Sequence, residues 1–187
     1  MLTSNFKKTP LPLLAISVAA LAIGLFTGPR CGRAAAPQGD DVIEVREGGS
    51  TKLIKDVHVD SAEYGEVAYT IRGSQRKLAG DQVVDIRWGD APDEYAVGMR
   101  ALRAGEGEKA SKAFKSCLDQ KLASDLRNWV EEYSHLGLGE AHSLLALSDA
   151  KHYDDAVKHY NAAKTANGRS RVLDKILSGL AAAEAAK

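Results

Sequence analysis

The chain contains five histidines, and histidine is the side chain that most often binds metal ions or exchanges protons near neutral pH. A metal site needs several ligands that converge on one point. His135 follows Glu131 by four residues, which on a helix would place the two side chains on one face. No third ligand accompanies them. The histidines that fall in no recognised ligand motif are His58, His135, His142, His152 and His159. The sequence therefore predicts no metal site.

Motifs for enzymatic chemistry are also missing from the sequence. The run Gly137-Leu138-Gly139 lies in helical surroundings and lacks the lysine that follows a phosphate-binding glycine loop. The serines, histidines and aspartates align with no nucleophile elbow. We therefore expect no enzyme, no catalytic residue and no cofactor. A hydrolase or metal-binding protein that uses a histidine and acid cluster is the least favoured of three functional alternatives.

The two cysteines do not indicate a disulfide framework. Cys31 falls in a segment that resembles an export leader, whereas Cys117 falls in a helical pattern far from it. Buried free cysteine behaves as a small apolar residue, and Cys117 is predicted to be one. The formal net charge of the chain is zero, and neither residues 37–90 nor residues 91–187 carry an excess of basic side chains, so nothing indicates nucleic acid as a partner.

The amino terminus has the pattern of a membrane signal. Lys7 and Lys8 precede an uncharged apolar run over residues 11–28. Its length lies between a long signal-peptide core and a transmembrane helix, which needs about 20 residues. Residues 1–36 are thus predicted to be a signal peptide or a membrane anchor. The positive-inside rule then places the amino terminus in the cytoplasm and the bulk of the chain outside. We expect a bacterial envelope protein, anchored in the inner membrane with its bulk in the periplasm, or exported if the signal is cleaved.

The elements that would position any site begin after a linker over residues 37–41. Residues 42–89 alternate apolar and polar side chains in short runs separated by glycine turns, such as Gly48-Gly49 and Gly73-Ser74. This order of strands and turns resembles Src-homology-3-type or Sm-type barrels. The resemblance implies a small antiparallel β-barrel domain, of a kind that usually acts as an adaptor.

The following segment changes to a helical period, and Asp90 is predicted to cap its first helix. Gly98, Ala110, Phe114 and Cys117 are separated by 12, 4 and 3 residues. Two helices that cross closely need small residues at their contact, with an aromatic residue one turn further along. The set resembles one tetratricopeptide repeat, a family whose helix pairs stack into protein-binding arrays.

A second copy of this pattern keeps Ala156, Tyr160 and Ala163 at the same spacing of 4 and 3 residues. Twelve residues before Ala156 stands Leu144 instead of glycine, so the first helix of this copy departs from the pattern. The copies are 46 residues apart instead of roughly 34, which predicts a lengthened first helix in the second pair. Residues 91–187 are therefore predicted to form a tetratricopeptide-like helical domain of two helix pairs and a capping helix.

In the tetratricopeptide family, first-helix residues build the inner surface of the array, and the matching positions here predict a groove for a partner. Those positions are Tyr95, Met99, Leu102 and Arg103 in the first copy and Ala141, Leu145, Ser148 and Asp149 in the second. They lack the Lys and Asn cluster that grips a carboxyl terminus in chaperone-binding members. An apolar or extended peptide of unknown identity is the expected ligand.

These patterns predict an α+β protein with a leader, a small barrel and a tetratricopeptide-like α-solenoid. The first functional hypothesis is a non-enzymatic interaction adaptor, either anchored in the membrane through residues 11–28 or exported. The alternative is a structural homo-oligomer of the cell envelope, in which the array packs against the barrel and against copies of itself without an open groove.

Overall fold

Five strands come first in residues 40–123 and 126–187, the part of the chain that the computed structural model describes. They are β1 (Asp41–Glu47), β2 (Ser50–Ala62), β3 (Glu66–Ile71), β4 (Ser74–Ala79) and β5 (Val83–Arg87). A short 3₁₀ helix, Gly80–Gln82, precedes β5. Five helices follow, namely α1 (Asp93–Arg103), α2 (Gly107–Ala123), α3 (Trp129–Ala146), α4 (His152–Ala166) and α5 (Leu173–Ala186).

Two tight turns join neighbouring strands where the sequence predicts them. Gly48 and Gly49 have φ of 57° and 92° between β1 and β2, and Arg72 and Gly73 have φ of 50° and 76° between β3 and β4. Positive φ at both central residues is the geometry of two-residue hairpins whose twist matches that of the strands. The predicted succession of short antiparallel strands is confirmed.

The long strand β2 serves two partners in turn. Its first half, to Val57, pairs antiparallel with β1, and its second half, from His58, pairs antiparallel with β3. Asp56 has φ of 58°, and the register of the first pairing shifts at this point. A bulge of this kind bends a strand and increases its twist. Both halves of the sheet can thus pack their apolar residues into one core.

The predicted barrel is wrong, because the five strands form one open sheet in the order β4-β3-β2-β1-β5. No ladder among the described residues joins β4 to β5. β4 is short and polar, with Arg76 and Lys77 exposed, so it has little apolar surface to fold across the core. The outer edge of β5 is occupied by Arg171, whose Nη2 donates to the main-chain oxygens of Val83 (2.7 Å) and Val84 (2.6 Å). The period of two that predicted the strands is the same in open and closed sheets.

The apolar core of the sheet comes from alternating positions on β1, β2 and β3 and from two positions on β5. Its buried members are Ile43, Val45, Val57, Val59, Val67, Tyr69, Val83 and Ile86. Trp88, directly after β5, packs against this cluster and also against Trp129 of α3, with ring centroids 4.9 Å apart and an interplanar angle of 5°. The sheet and the helices therefore share one continuous apolar interior.

Each helix packs against the next one along the chain, and α3 also contacts α1 and α5. The first helices of the predicted pairs therefore form one layer, and α2 and α4 form the other. No helix among the described residues combines the length and the apolar character needed to cross a membrane. The predicted span at residues 11–28, and with it the transmembrane part of the expected fold, lies outside those residues.

Phe114 of α2 is held between two glycines. A Cβ on Gly98 of α1 or on Gly137 of α3 would stand 2.7 Å or 2.6 Å from its ring atoms, closer than real Cβ atoms approach. Ala110 and Cys117 beside it are fully buried, as the sequence predicts for small contact residues.

Tyr160 of α4 repeats this arrangement one pair later. Cβ atoms on Gly139 of α3 and Gly179 of α5 would both lie closer to its ring than real Cβ atoms approach. The glycine of the second pair is therefore Gly139, and the sequence match that placed Leu144 there is wrong by five positions. Gly139 precedes Ala156 by 17 residues, whereas Gly98 precedes Ala110 by 12, because both α3 and the loop after it are longer.

The segment before α3, which makes the two copies of the pattern 46 residues apart, connects the helices to the sheet. All five N–H groups of Arg127, just before α3, are used: they donate to the Asp41 and Asp90 carboxylates and to the main-chain oxygen of Val59. Asp90 also accepts the indole N–H of Trp129 at 3.0 Å. The predicted cap is therefore wrong: α1 begins at Asp93 after Pro92, and the Asp90 side chain serves the junction instead.

Candidate functional site

A groove opens on the layer formed by the first helices, with a cavity volume of about 490 Å³. Two helices, α1 and α3, contribute most of its wall. Its lining residues are Met99, Leu102 and Arg103 from α1, Glu140, Ser143 and Leu144 from α3, Tyr160 from α4 and Lys175 from α5. The lining combines apolar side chains with a few polar and charged ones, the composition of many ligand-binding clefts.

The two main walls of the groove use equivalent helix positions. Met99, Leu102 and Arg103 follow Gly98 by one, four and five residues, and Glu140, Ser143 and Leu144 follow Gly139 by the same intervals. Because residues one, four and five positions beyond a contact glycine share one side of a helix, both helices present matching faces. The groove is therefore a consequence of the repeated glycine–aromatic packing.

Ion pairs and hydrogen bonds hold the polar residues of the groove. Lys175 Nζ lies 2.6 Å from Glu140 Oε1, which joins α5 to α3. Ser143 Oγ donates to the main-chain oxygen of Gly139 at 2.9 Å and lies 3.4 Å from the Tyr160 hydroxyl. Burial raises the pKa of Tyr160 above its ordinary value, so the phenol stays protonated. Arg103 is exposed and makes no ion pair with any described residue.

Of the eight residues predicted to bind a partner, the groove contains Met99, Leu102 and Arg103. Tyr95 lies in an aromatic cluster instead, 5.8 Å from the Phe114 ring and 5.3 Å from that of Trp129. Burial among these rings raises the pKa of the Tyr95 phenol far above its ordinary value. Tyr95 therefore stabilises the interior between α1, α2 and α3.

The four candidates of the second copy lie away from the groove. Ala141 is fully buried against the first helix pair, and Leu145 fills the space beside Gly107. Ser148 and Asp149 follow the end of α3, where Ser148 bonds to the main chain and Asp149 pairs with Lys151. These four residues miss the groove because their positions were counted from Leu144 instead of Gly139, five residues earlier. The shift moves two of them to another face of α3 and two beyond its end.

A second arrangement joins four of the five histidines between α3 and α4. His135 Nδ1 lies 3.1 Å from His159 Nδ1, and His142 Nδ1 lies 3.4 Å from His152 Nδ1. The rings of His142 and His159 stack with centroids 5.4 Å apart. These four side chains therefore form a continuous row, named here the histidine row. His58 lies apart from it, exposed on β2.

The sequence contains a signal for this row that pairwise inspection of neighbours missed. His135 and His142 are seven residues apart on α3, and His152 and His159 are seven apart on α4. A spacing of seven returns a side chain to the same helix face after two turns. On antiparallel neighbouring helices, the first histidine of one pair therefore lies opposite the second histidine of the other pair.

The environment of His135, His142 and His159 in the histidine row favours neutral imidazoles. Burial lowers the pKa of His135 and of His142 below the ordinary value of 6.5. Burial and the two neighbouring imidazoles lower the pKa of His159 to about 4. Neutral imidazole offers one nitrogen lone pair for a proton donor or a metal ion.

No family model, curated protein or solved structure matches this chain. The class of protein must therefore be argued from its own geometry.

Proposed function

We propose that this protein is a non-enzymatic adaptor of the bacterial cell envelope that binds a peptide segment of another protein in the groove between α1, α3 and α5. The observation that carries the proposal is the matched placement of groove residues after Gly98 and Gly139. Two helices that offer equivalent faces side by side form the concave surface that helical arrays use to bind extended peptides. The predicted leader supports the envelope as the site of action.

The composition of the groove favours one kind of occupant. Met99, Leu102 and Leu144 provide apolar surface, while Arg103 leaves a positive charge without an ion-pair partner among the described residues. Lys175 is neutralised by Glu140. We therefore expect a short extended segment with apolar side chains and an acidic residue that reaches Arg103. Such a charge gives orientation and speed of association more than affinity.

A photo-crosslinking experiment tests this proposal in the native membrane. A benzophenone amino acid replaces Arg103 in the full chain, cells are irradiated, and the crosslinked protein is identified by mass spectrometry. The matched control carries the same amino acid at Arg100, an exposed arginine of the same helix that does not line the groove. We expect one specific protein to crosslink from position 103 and not from position 100.

Charge reversal provides the second arm of the experiment. Arg103→Glu should strongly reduce recovery of that protein, because it repels the expected acidic residue, whereas Arg100→Glu should leave recovery unchanged. Equal recovery with both variants would remove the groove from the proposal. Tyr95 is unsuitable as a test position, because its ring packs inside the fold.

The homo-oligomeric alternative predicts a different outcome of the same experiment. Crosslinks from position 103 would then join two copies of this chain, and light scattering of the purified protein would show mass that increases with concentration. Sheet-edge pairing offers little support for self-association, since Arg171 covers the edge of β5 and charged side chains line β4.

A further inference from the structure

We propose that His142, His152 and Asp155 form a binding site for a divalent transition-metal ion such as Zn²⁺. The three side chains come from two helices and turn their ligand atoms toward one point. Two imidazole nitrogens and one carboxylate oxygen form a ligand set typical of zinc and its neighbours in the first transition row. This inference concerns the opposite side of α3 from Glu140 and does not depend on the groove.

The geometry of the three ligand atoms fits a single ion. His142 Nδ1 and His152 Nδ1 are 3.4 Å apart, and Asp155 Oδ2 lies 3.8 Å and 3.9 Å from these two nitrogens. A tetrahedral ion with bonds of about 2.0–2.2 Å holds its ligand atoms roughly 3.3–3.6 Å apart. The observed triangle needs a contraction of only a few tenths of an ångström, which side-chain rotation can provide.

A neighbouring hydroxyl lies where it can accept a hydrogen bond from the tautomer of His142 that a metal ion requires. Ser111 Oγ of α2 lies 3.4 Å from His142 Nε2, on the far side of the ring from the ligand nitrogen. When Nε2–H donates to this hydroxyl, Nδ1 keeps the lone pair that a metal needs. Support of a metal-binding histidine by a hydrogen bond from its other nitrogen is general in metalloproteins.

Exposure gives an ion access to the triangle. The Asp155 side chain is 52% exposed and that of His152 is 25% exposed, while the His142 side chain is only 7% exposed. An open cavity of about 520 Å³ reaches both histidines between α2 and the start of α4. Solvent can therefore supply the fourth ligand as water, the arrangement of sites that keep one open position.

The charged side chains around the site include both basic and acidic residues. Lys115 of α2 lies near enough to disfavour a positive charge on His142, whereas Asp155 favours one. Glu108 and Asp119 line the same cavity as Lys115.

The test is a calorimetric titration of the full chain, purified without a histidine tag, with Zn²⁺. We expect one ion per chain with a dissociation constant in the micromolar range or below. Asp155→Asn should weaken binding at least about tenfold. Asp154→Asn is the matched control, because it makes the same chemical change at the adjacent exposed position, where the carboxylate pairs with Lys187.

Two further variants assign the site within the histidine row. His152→Gln should abolish stoichiometric binding, while His58→Gln on β2 should leave it unchanged. Circular dichroism of each variant confirms that the helices remain folded. With Co²⁺ as the probe, the wild-type chain should develop the visible absorption of tetrahedral coordination.

Three results would overturn the proposal. They are the absence of stoichiometric binding to the folded wild-type chain, binding that survives both Asp155→Asn and His152→Gln, and binding that is lost in His135→Gln but retained in His152→Gln. The last result would place the ion at the other end of the row.

Discussion

Arg127 donates to both carboxylate oxygens of Asp41, with each nitrogen–oxygen distance at 2.7 Å. The two residues are 86 positions apart in the chain and join the helices to the first strand. Asp41 is fully buried, and its remaining acceptor capacity is used by the main-chain N–H groups of Val59 (2.8 Å) and Gly89 (2.7 Å). The buried Asp41 carboxylate therefore depends on Arg127 to balance its negative charge.

Removing Arg127 should destabilise the protein strongly. Arg127→Ala leaves the buried Asp41 carboxylate without its counter-charge, and we expect a loss of about 3 to 5 kcal/mol in the free energy of unfolding. Urea denaturation followed by circular dichroism measures this loss. Arg169→Ala is the control, because the Arg169–Glu63 pair is exposed and should contribute nothing measurable. Similar losses in both variants would contradict the role assigned to Arg127.

The same carboxylate predicts a dependence of stability on pH. Burial alone would raise the pKa of Asp41, but hydrogen bonds from Arg127, Gly89 and Val59 hold it below its ordinary value of 3.8. A lowered pKa in the folded state contributes stability above pH 3.8, and this contribution is lost as the pH falls through the folded value. The stability difference between wild type and Asp41→Asn should therefore shrink below pH 3.8. A difference that stays constant down to about pH 2 would contradict this.

Glu132 titrates in the opposite sense and at higher pH. Burial raises its pKa above the ordinary value of 4.5, although Ser170 and Asn167 donate hydrogen bonds to its carboxylate. Its ionisation therefore costs stability as the pH rises through the raised value. The effects of Asp41 and Glu132 on stability can be separated in a pH series, because Asp41 acts below about pH 4 and Glu132 acts above it.

The glycine–aromatic contacts predict a sharp effect of one added methyl group. Gly139→Ala would place a Cβ 2.7 Å from the Tyr160 ring, which Gly179 confines on its other side. We expect a cost of about 1 to 3 kcal/mol from overpacking, measured by urea denaturation. Gly168→Ala is the control, since its nearest atom, the main-chain oxygen of Lys164, would lie at 3.7 Å.

A double variant tests whether the ring is the cause. Tyr160→Leu should remove part of the penalty of Gly139→Ala, because a smaller side chain leaves room for the methyl group. The two substitutions should therefore be non-additive by at least about 0.5 kcal/mol. Additive effects would show that the strain arises elsewhere in α3.

Cys117 should be chemically inert in the folded protein. It is fully buried beside Trp129 and Val130, and burial raises the pKa of its thiol to about 11. Because the thiolate is the reactive form, iodoacetamide at pH 8 should leave Cys117 unmodified until urea unfolds the chain. Peptide mapping by mass spectrometry measures modification at this position. Rapid labelling without denaturant would contradict the predicted packing.

Local patterns predicted the elements of the fold better than their assembly. The alternation of apolar residues located the strands, and the spacing from Gly98 to Cys117 located the first helix contact. Open and closed sheets share that alternation, so the barrel could not be distinguished from it. Arg127 and Asp41 meet only after the whole sheet and α3 are in place, and no local spacing connects them.

The candidate site was predicted only in its first half for a similar reason. A fixed distance before Ala156 selected Leu144, but five extra residues in helix and loop moved the contact glycine to Gly139. The matching glycine is visible in the sequence once the distance is allowed to vary. The histidine row was missed because its signal is a pair of equal spacings on different helices.

The hydrogen bonds from Arg171 to Val83 and Val84 give the loop before α5 a protective role. If α5 detached, this loop would lose its anchor and the outer edge of β5 would become free to recruit strands from other molecules. By anchoring this loop, α5 keeps the edge of β5 covered. Loosening α5 would therefore promote aggregation before the rest of the protein unfolded.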